Sequence, residues 1–381
     1  MKNTKKNNGF IAAMIVVVTL FACKKVENFS MARVRLNNMW GIIDISGKEV
    51  VPCIYERIEP FSEGMAAVRL NGEWGYIDQT GKLVIPCVYD RTEPFSEGLA
   101  AVRLDDKWGF LEKTGKIIVP CEYDRIRSFS DSLGTIVIPG EVFTFVFIDH
   151  TGTETKTFRY QAMGSFRDDL AAIALNDRIG FMDKSGKEVI PCKYEDVTKE
   201  YFSEGLLGVC FNDKWGFIDI TGKEMTPFIY DVVRDFSEGL AAVRLNDKWL
   251  FIDTAGVALS CKYDRVGDFS EGMAIVALND KFGFIDQTGR EVIPCKYDWV
   301  RDFSEGMAIV ELNLKRGFID KTGTEVIPCK YEHAMNFSSG LAAVKLNDNR
   351  GFIDQNNHVV IHFIYDDAES FISCNDIFKS N

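Results

Sequence analysis

The sequence predicts an all-β protein made of about ten tandem repeats of 34 residues each. One pattern recurs along nearly the whole chain: an aromatic residue and Gly, then Ile-Asp, Thr-Gly, Pro-Cys and Tyr, followed by Phe-Ser-Glu-Gly. A fixed period of this length indicates one small unit stacked on its neighbours, not an enzyme with a single core. The tyrosines of the pattern, spaced 33 to 37 residues apart, are Tyr55, Tyr89, Tyr123, Tyr160, Tyr194, Tyr230, Tyr263, Tyr297, Tyr331 and Tyr365.

The first half of a unit is predicted to be a β-hairpin. In the repeat at residues 95–124, the apolar run 99–104 is followed by Asp105 and Asp106 and then by a second run at 107–111. Asp, Asn and Gly tolerate the positive φ angles that two-residue hairpin turns require.

The second half adds a third strand at residues 117–123. Gly115 supplies the left-handed position of the preceding turn. Pro120 has no N–H to donate, so this strand is expected at a sheet edge or with a bulge. Each unit is therefore a three-stranded meander plus a connector, and it needs neighbours to bury its apolar faces.

The aromatic-Gly pair resembles that of a known family. It reads Trp40-Gly41, Trp74-Gly75, Trp108-Gly109 and Trp215-Gly216. The pattern is similar to the WG-repeat family, also called KWG repeats, known from bacterial proteins in multiple tandem copies. The resemblance covers about residues 29–381 and implies the fold class, but it implies no general activity. Altered pairs stand at Trp249-Leu250, Ile179-Gly180, Phe282-Gly283, Arg316-Gly317, Arg350-Gly351 and Phe145-Val146.

An open or superhelical array and a closed propeller are both conceivable. Propeller blades commonly use about 40–45 residues and four strands, whereas this unit supplies three strands, or four if the connector pairs. Both chain ends are expected to carry the same phase, because Phe29-Ser30 opens the array and Phe371-Ile372-Ser373 begins an eleventh, truncated copy. A ring sealed by one mixed blade should show complementary fragments instead, so we expect an open array. The irregular repeat at about 134–166 is either a degenerate unit that still packs on its neighbours or a bend that separates three copies from six. Residues 147–149 keep the repeat pattern and favour the former.

Residues 1–22 are predicted to be a lipoprotein signal peptide. Three lysines precede an apolar run at 10–21 that is too short for a relaxed membrane span. Residues 20–23, Leu-Phe-Ala-Cys, resemble a bacterial lipobox, in which the signal is cut before a cysteine that receives lipid. We expect lipidation at Cys23, a short linker at 23–28 and a place in the cell envelope, at the outer rather than the inner membrane. An uncleaved anchor helix is the alternative.

The acidic composition excludes some partners. The chain carries a formal net charge of −12, and loss of the signal would remove three lysines. Such a protein repels phosphate backbones and anionic lipid heads, so nucleic acid and electrostatic membrane docking are not expected. Membrane contact is expected only through the lipid at Cys23.

The periodic cysteines are predicted to be small apolar residues. A disulfide needs Cβ atoms about 4 Å apart, whereas identical slots in neighbouring units lie one repeat apart. Phe228 and Phe363 fill the slot in two copies, and each copy offers one thiol without metal partners, so neither a disulfide nor a metal is expected. The cysteines of this slot are Cys53, Cys87, Cys121, Cys192, Cys261, Cys295 and Cys329.

The periodic carboxylates are interpreted as structural. Repetition gives them like environments, whereas acid–base catalysis needs unlike ones. Asp before Thr-Gly is expected to accept from turn N–H groups, with calcium binding as an alternative. The sequence contains no P-loop, dinucleotide fingerprint, His-Glu-x-x-His or Gly-x-Ser-x-Gly motif.

The aromatic slot is the candidate binding surface. It accepts Trp, Phe, Ile and Arg, and because a sealed core would reject Arg, the slot is expected to be half-open. It could form a platform for glycans or a partner's apolar side chains, or each ring could simply cover the adjacent Gly and stabilise stacking. The candidate residues are Trp40, Trp74, Trp108, Trp215, Trp249, Arg316 and Arg350.

These observations favour an envelope lipoprotein whose array binds or scaffolds a protein or glycan, without a cofactor. A purely structural spacer is the first alternative. An enzyme acting on envelope polymers is the second, and it would need a non-periodic carboxylate cluster such as Asp168 and Asp169 in the irregular region.

Overall fold

The computed structural model describes residues 30–260 and 262–373. These residues form ten antiparallel sheets. No helix among them is long and apolar enough to cross a membrane. The predicted signal peptide 1–22, the lipidation site Cys23 and the linker 23–28 lie outside the described residues.

Each sheet is a blade, and in blades 2–10 the strands lie side by side in chain order. In blade 2 the first strand is Arg57–Ile58, the second Met65–Leu70, the third Glu73–Asp78 and the fourth Leu83–Tyr89. The last three strands are the predicted meander. The predicted connector supplies one more strand, because two of its residues pair with the second strand.

The strands of the other blades follow the same plan. The first strands of blades 3–10 are Arg91–Thr92, Ile126–Ser130, Ala162–Met163, Asp196–Val197, Val232–Val233, Arg265–Ser270, Trp299–Val300 and His333–Ala334. The second strands, with blade 1 leading, are Ser30–Leu36, Leu99–Leu104, Leu133–Ile138, Leu170–Leu175, Leu206–Phe211, Leu240–Leu245, Met273–Leu278, Met307–Leu312 and Leu341–Leu346. The third strands are Met39–Asp44, Lys107–Glu112, Phe143–Ile148, Arg178–Asp183, Lys214–Asp219, Lys248–Asp253, Lys281–Asp286, Lys315–Asp320 and Asn349–Asp354. The fourth strands are Glu49–Tyr55, Ile117–Tyr123, Glu154–Tyr160, Glu188–Tyr194, Ala258–Ser260, Glu291–Tyr297, Glu325–Tyr331 and Val359–Tyr365, and blade 6 has isolated bridges in place of a fourth strand.

The ten blades close into a ring, so the prediction of an open or superhelical array of three-stranded units is wrong. The C-terminal strands Asp367–Ala368 and Ile372–Ser373 both pair with Ser30–Leu36 and complete blade 1. Arg33 and Glu369 form an ion pair across this seam. The fold is a ten-bladed β-propeller sealed by a blade to which both chain ends contribute.

The apolar core is divided among the ten interfaces between neighbouring blades. Between blades 2 and 3, for example, Tyr76 and Tyr89 pack with Phe95 and Leu111. The seam has an equivalent cluster, in which Val34 of blade 1 packs with Phe352 of blade 10 and with the C-terminal strand. Each blade therefore buries its faces against its neighbours, as the repeat period predicts. The irregular fourth repeat is no exception, since residues 126–160 form blade 4 and pack on both sides.

Candidate functional site

Antiparallel strands sort the connections of each blade onto two faces of the ring. One face carries the hairpins between second and third strands, such as Asn71-Gly72, and the short connections between blades, such as Glu56; we call it the hairpin face. The other carries the Phe-Ser-Glu-Gly loops and the Thr-Gly turns; we call it the serine–glutamate face. On the hairpin face the Glu56 carboxylate accepts from the N–H of Gly72 at 3.1 Å.

The aromatic slot lies beside the hairpin face. It belongs to the second rung from the hairpin turn, where a rung is a row of residues that pair with one another across the strands of one blade. In blade 2, Arg57, Arg69, Trp74 and Tyr89 lie opposite one another across the four strands. The seven candidate residues occupy this rung in blades 1, 2, 3, 6, 7, 9 and 10, and all are half-buried. Blade 4 differs, because its residue at this position, Phe145, is 2% exposed and belongs to the core. The fold thus brings the candidates to one level of the ring, spread over seven blades.

Trp74 lines a cleft between blades 2 and 3. The cleft measures about 720 Å³, and its apolar walls include Pro60, Phe61 and Pro94. Arg57, Glu59, Arg91 and Glu93 add charge. A smaller cleft of about 280 Å³ holds Trp108 one blade further on.

Arginine and tryptophan associate repeatedly near this rung. The guanidinium carbon of Arg35 lies 5.6 Å from the Trp40 ring centre, and that of Arg234 lies 6.0 Å from the Trp249 ring. In blade 9 the order is reversed, because the first strand carries Trp299 and the slot carries Arg316, at 4.5 Å. Sequence reasoning missed Trp299, although its position two residues after the periodic tyrosine, which holds Arg57 in blade 2, could have identified it.

On the serine–glutamate face, each Phe-Ser-Glu-Gly loop is bonded to the loop of the next blade. The Ser62 hydroxyl donates to the Phe95 carbonyl at 2.6 Å. The Glu63 carboxylate accepts from the N–H groups of Glu97 and Gly98 at 2.5 and 2.9 Å. The serine bond recurs at Ser96, Ser130, Ser203, Ser237, Ser270, Ser304 and Ser338. The motif therefore joins neighbouring blades.

The electrostatics of Glu63 follow from this junction. Partial burial acts against ionisation, but Lys113 and the two N–H groups outweigh it and lower the pKa of Glu63. Lys113 belongs to the Thr-Gly turn of the next blade and lies 3.0 Å from the carboxylate. An ionised Glu63 thus bonds both connections that blade 3 presents on this face.

The periodic Asp residues have the structural role predicted for them. Asp219 Oδ1 accepts from the Thr221 N–H at 2.9 Å, the Thr221 hydroxyl at 2.6 Å and the Lys223 N–H at 3.0 Å. The Thr221 hydroxyl and the backbone N–H groups hold the pKa of Asp219 below its usual value despite some burial. Within residues 30–260 and 262–373, no three His, Cys, Asp or Glu side chains are grouped as metal ligands.

The remaining sequence candidates also fall into structural positions. Asp169 donates its N–H to Asp131 at 2.9 Å and pairs with Lys184 at 2.7 Å, so it takes part in the junctions of the serine–glutamate face. The described cysteines of the periodic slot are free and half-buried. Cys87 Sγ lies 3.8 Å from the Val68 carbonyl oxygen, and burial raises the pKa of its thiol.

Comparison with known proteins agrees with the repeat assignment. The family described as "WG containing repeat" matches ten segments, and this confirms the resemblance. They are residues 40–74, 74–108, 108–138, 147–178, 179–215, 215–249, 251–282, 282–315, 317–349 and 351–377. No curated protein matches the chain by sequence.

Solved structures match this chain at low identity. The crystal structure of a eukaryotic initiation factor is 12% identical, with 91% of this chain and 98% of that chain covered and a TM-score of 0.54. BamB from Moraxella catarrhalis is 10% identical, with 76% of this chain and 93% of that chain covered and a TM-score of 0.35. At this identity the first likeness concerns the fold alone.

Proposed function

Because this chain belongs to the WG containing repeat family, we propose that it acts as a binding or scaffold protein whose partner contacts the aromatic slot and the cleft beside Trp74. The observation that carries the proposal is the half-buried aromatic slot, which recurs around the ring and opens into a cleft at Trp74. Buried aromatic anchors surrounded by polar groups dominate binding energy at protein surfaces.

The cleft at Trp74 suits a partner with both apolar and polar groups. Pro60, Pro94 and the indole of Trp74 offer apolar contact, and the charged residues at the cleft fix orientation. Burial raises the pKa of Glu93, opposed by Arg91 and reinforced by Glu59. A desolvated carboxyl beside an arginine can hydrogen-bond a hydroxyl or amide of a glycan or protein.

The cellular setting is part of the proposal. Cys23 would receive the lipid, and the ring, which starts at Ser30, would follow a linker of a few residues. The partner would then be a glycan or protein of the cell envelope, and the lipid would hold the ring at the outer membrane.

Glycan and protein arrays probed with the soluble 24–381 fragment, which contains all ten blades, test the proposal. Trp74→Ala should weaken capture of the recovered partner at least tenfold. Trp74→Phe is the matched control and should retain binding, because Phe282 already occupies this slot in blade 8. No capture on either array would contradict the proposal, and capture that Trp74→Ala leaves intact would contradict the assignment of the cleft at Trp74.

A further inference from the structure

Blades 9 and 10 depart from the rest of the ring at the binding rung. There the slot holds Arg316 and Arg350, and the first strands carry Trp299 and His333 at the same level. This stretch concentrates positive groups in a protein whose net charge is −12. We call Trp299, Arg301, Arg316, His333, Arg350 and Trp40 the arginine sector.

Arg316 is held in a fixed, mostly buried position. Its Nε donates to Glu311 at 3.0 Å, and its guanidinium lies over the Trp299 ring. The side chain is only 19% exposed. The Glu311 carboxylate contacts Nε of Arg316, and the Trp299 indole packs against the plane of the guanidinium. A guanidinium positioned in this way loses little freedom on binding a ligand.

Arg350 is held in the same way one blade further on. Its Nε lies 2.8 Å from Asp367, and its NH1 donates to Nδ1 of His333 at 3.0 Å. Because arginine has no acceptor, Nδ1 must accept, and the proton of the neutral imidazole resides on Nε2. His333 therefore adds an N–H donor beside the arginines.

The environment of His333 keeps the imidazole neutral. Desolvation, followed by Arg350, Arg316 and Arg301, lowers its pKa to about 4, and Asp367 opposes them. Lys345 is its partner on the neighbouring strand, and the Lys345 ammonium pairs with Asp348 at 3.1 Å. Three guanidinium groups from two blades thus lie close enough to act on one imidazole.

Indole rings flank the sector at both ends. Trp299 lies beside Arg316, and at the other end Asp367 links Arg350 to Arg35, at 2.8 and 3.8 Å. Arg35 in turn lies over Trp40 of blade 1. The order along the ring is therefore aromatic, cationic, aromatic.

We propose that the arginine sector binds a carboxylated saccharide, with its carboxylate among Arg316, Arg350 and His333 and a sugar ring against a flanking indole. Guanidinium matches a carboxylate in shape and charge, and an indole offers a flat apolar surface to the C–H face of a sugar. The acidic surroundings disfavour densely charged polyanions. This inference rests on the proposed binding role and names a ligand class for one part of the hairpin face.

Calorimetric titration of the full chain tests the inference. The probes are a galacturonic acid tetrasaccharide, the neutral galactose tetrasaccharide and a tetraglutamate peptide. We expect the acidic saccharide to bind at least tenfold more tightly than the other two.

Arg316→Trp and Arg350→Trp are variants that the fold should accept, because five other blades hold Trp in this slot. Each should weaken binding of the acidic saccharide at least tenfold. Arg265→Trp is the matched control, since Arg265 pairs with Asp280 in blade 8, outside the sector; it should bind like the parent.

The pKa of His333 provides a second measurement, which would not change if the arginines only stabilised the fold. A bound carboxylate stabilises the imidazolium, so the pKa of His333, followed by NMR, should rise when the acidic saccharide is added. Equal affinity for the neutral saccharide, tighter binding of the peptide, or full affinity in Arg316→Trp would overturn the inference. Failure here with intact Trp74-dependent capture on the arrays would leave the proposed function standing. Normal titration of the acidic saccharide without any Trp74-dependent capture would contradict the cleft at Trp74 and leave the arginine sector standing.

Discussion

The glycine of the aromatic-Gly pair controls the shape of the neighbouring strand. A Cβ on Gly75 would lie 2.4 Å from the Ile85 carbonyl oxygen and 2.7 Å from the Cys87 nitrogen. The fourth strand comes this close because its pairing with the third shifts register twice. Blade 7 has Leu250 at the glycine position, and there the fourth strand pairs without a shift and ends early, at residue 260. In blade 4, where Val146 stands at this position, only the shift between the next two residues remains. The glycine therefore accompanies the shift at its own position and not every bulge of the blade.

Gly75→Ala is expected to lower the free energy of unfolding by about 3 kcal/mol, because the added methyl group meets backbone atoms that cannot rotate away. The control Gly72→Ala sits at φ +85 with open space around it and should cost about 1 kcal/mol from backbone strain alone. Urea unfolding of both variants measures the difference. Equal losses would show that the close approach does not occur.

The glutamate junctions make a pH-dependent contribution to stability. The pKa of Glu63 is lowered in the folded protein, so its contribution is present above the unfolded pKa and is lost as pH falls through the folded one. Glu63→Gln should cost about 1 kcal/mol at pH 7 and progressively less below pH 4. Chemical unfolding at several pH values checks this, with Glu73→Gln on the exposed hairpin end as control. A loss that stays constant with pH would contradict the role of the charge.

At the scale of the element, the meander was predictable and the first strand was not. Asn-Asp and Thr-Gly signals mark the turns, and Pro120 correctly placed its strand at a sheet edge. The first strand has only two residues in most blades, too few for any alternation to show. It forms because the second strand of the same blade offers a free edge, and this partner cannot be recognised from local sequence.

The seam was misinterpreted for a related reason. Phe29-Ser30 and Phe371 suggested the same phase at both ends. However, Met31 pairs with Asp44 as Met65 pairs with Asp78, so Ser30 stands at the glycine position of the motif and the break falls inside the Phe-Ser-Glu-Gly loop. Ser30 begins a second strand, whereas Phe371 follows a first strand. The ends are therefore complementary fragments of one blade.

Phe371→Ala tests whether the C-terminal fragment is part of the core. Phe371 is 1% exposed, and its ring centre lies 4.8 Å from that of Phe352. Its truncation should cost about 3–5 kcal/mol, as much as Phe337→Ala one blade earlier, which is buried to the same degree. Thermal melts compare the two variants. A near-neutral Phe371→Ala would mean that the C-terminal fragment is not packed.

At the scale of the whole molecule, the sequence predicts stacking but not closure. Interfaces between neighbours look alike in an open or a closed array, and closure depends on a small rotation repeated ten times. Only the seam distinguishes them, through contacts such as Val34 with Ala368. The half-buried position of the aromatic slot was foreseeable from Arg316 and Arg350. Its neighbours Trp299 and His333 were not foreseeable, because they come from the unpredicted first strand.

Cross-linking across the seam tests the closed ring most directly. Val34 and Ala368 are opposite residues on paired strands, so V34C/A368C should oxidise to a disulfide that shifts the chain on a non-reducing gel. M163C/I173C, the equivalent pair within blade 5, is the positive control, and V34C/M163C and the unmodified chain are the negative ones. The ring predicts a shift for V34C/A368C that reductant reverses. Cross-linking of M163C/I173C without any cross-link in V34C/A368C would contradict closure.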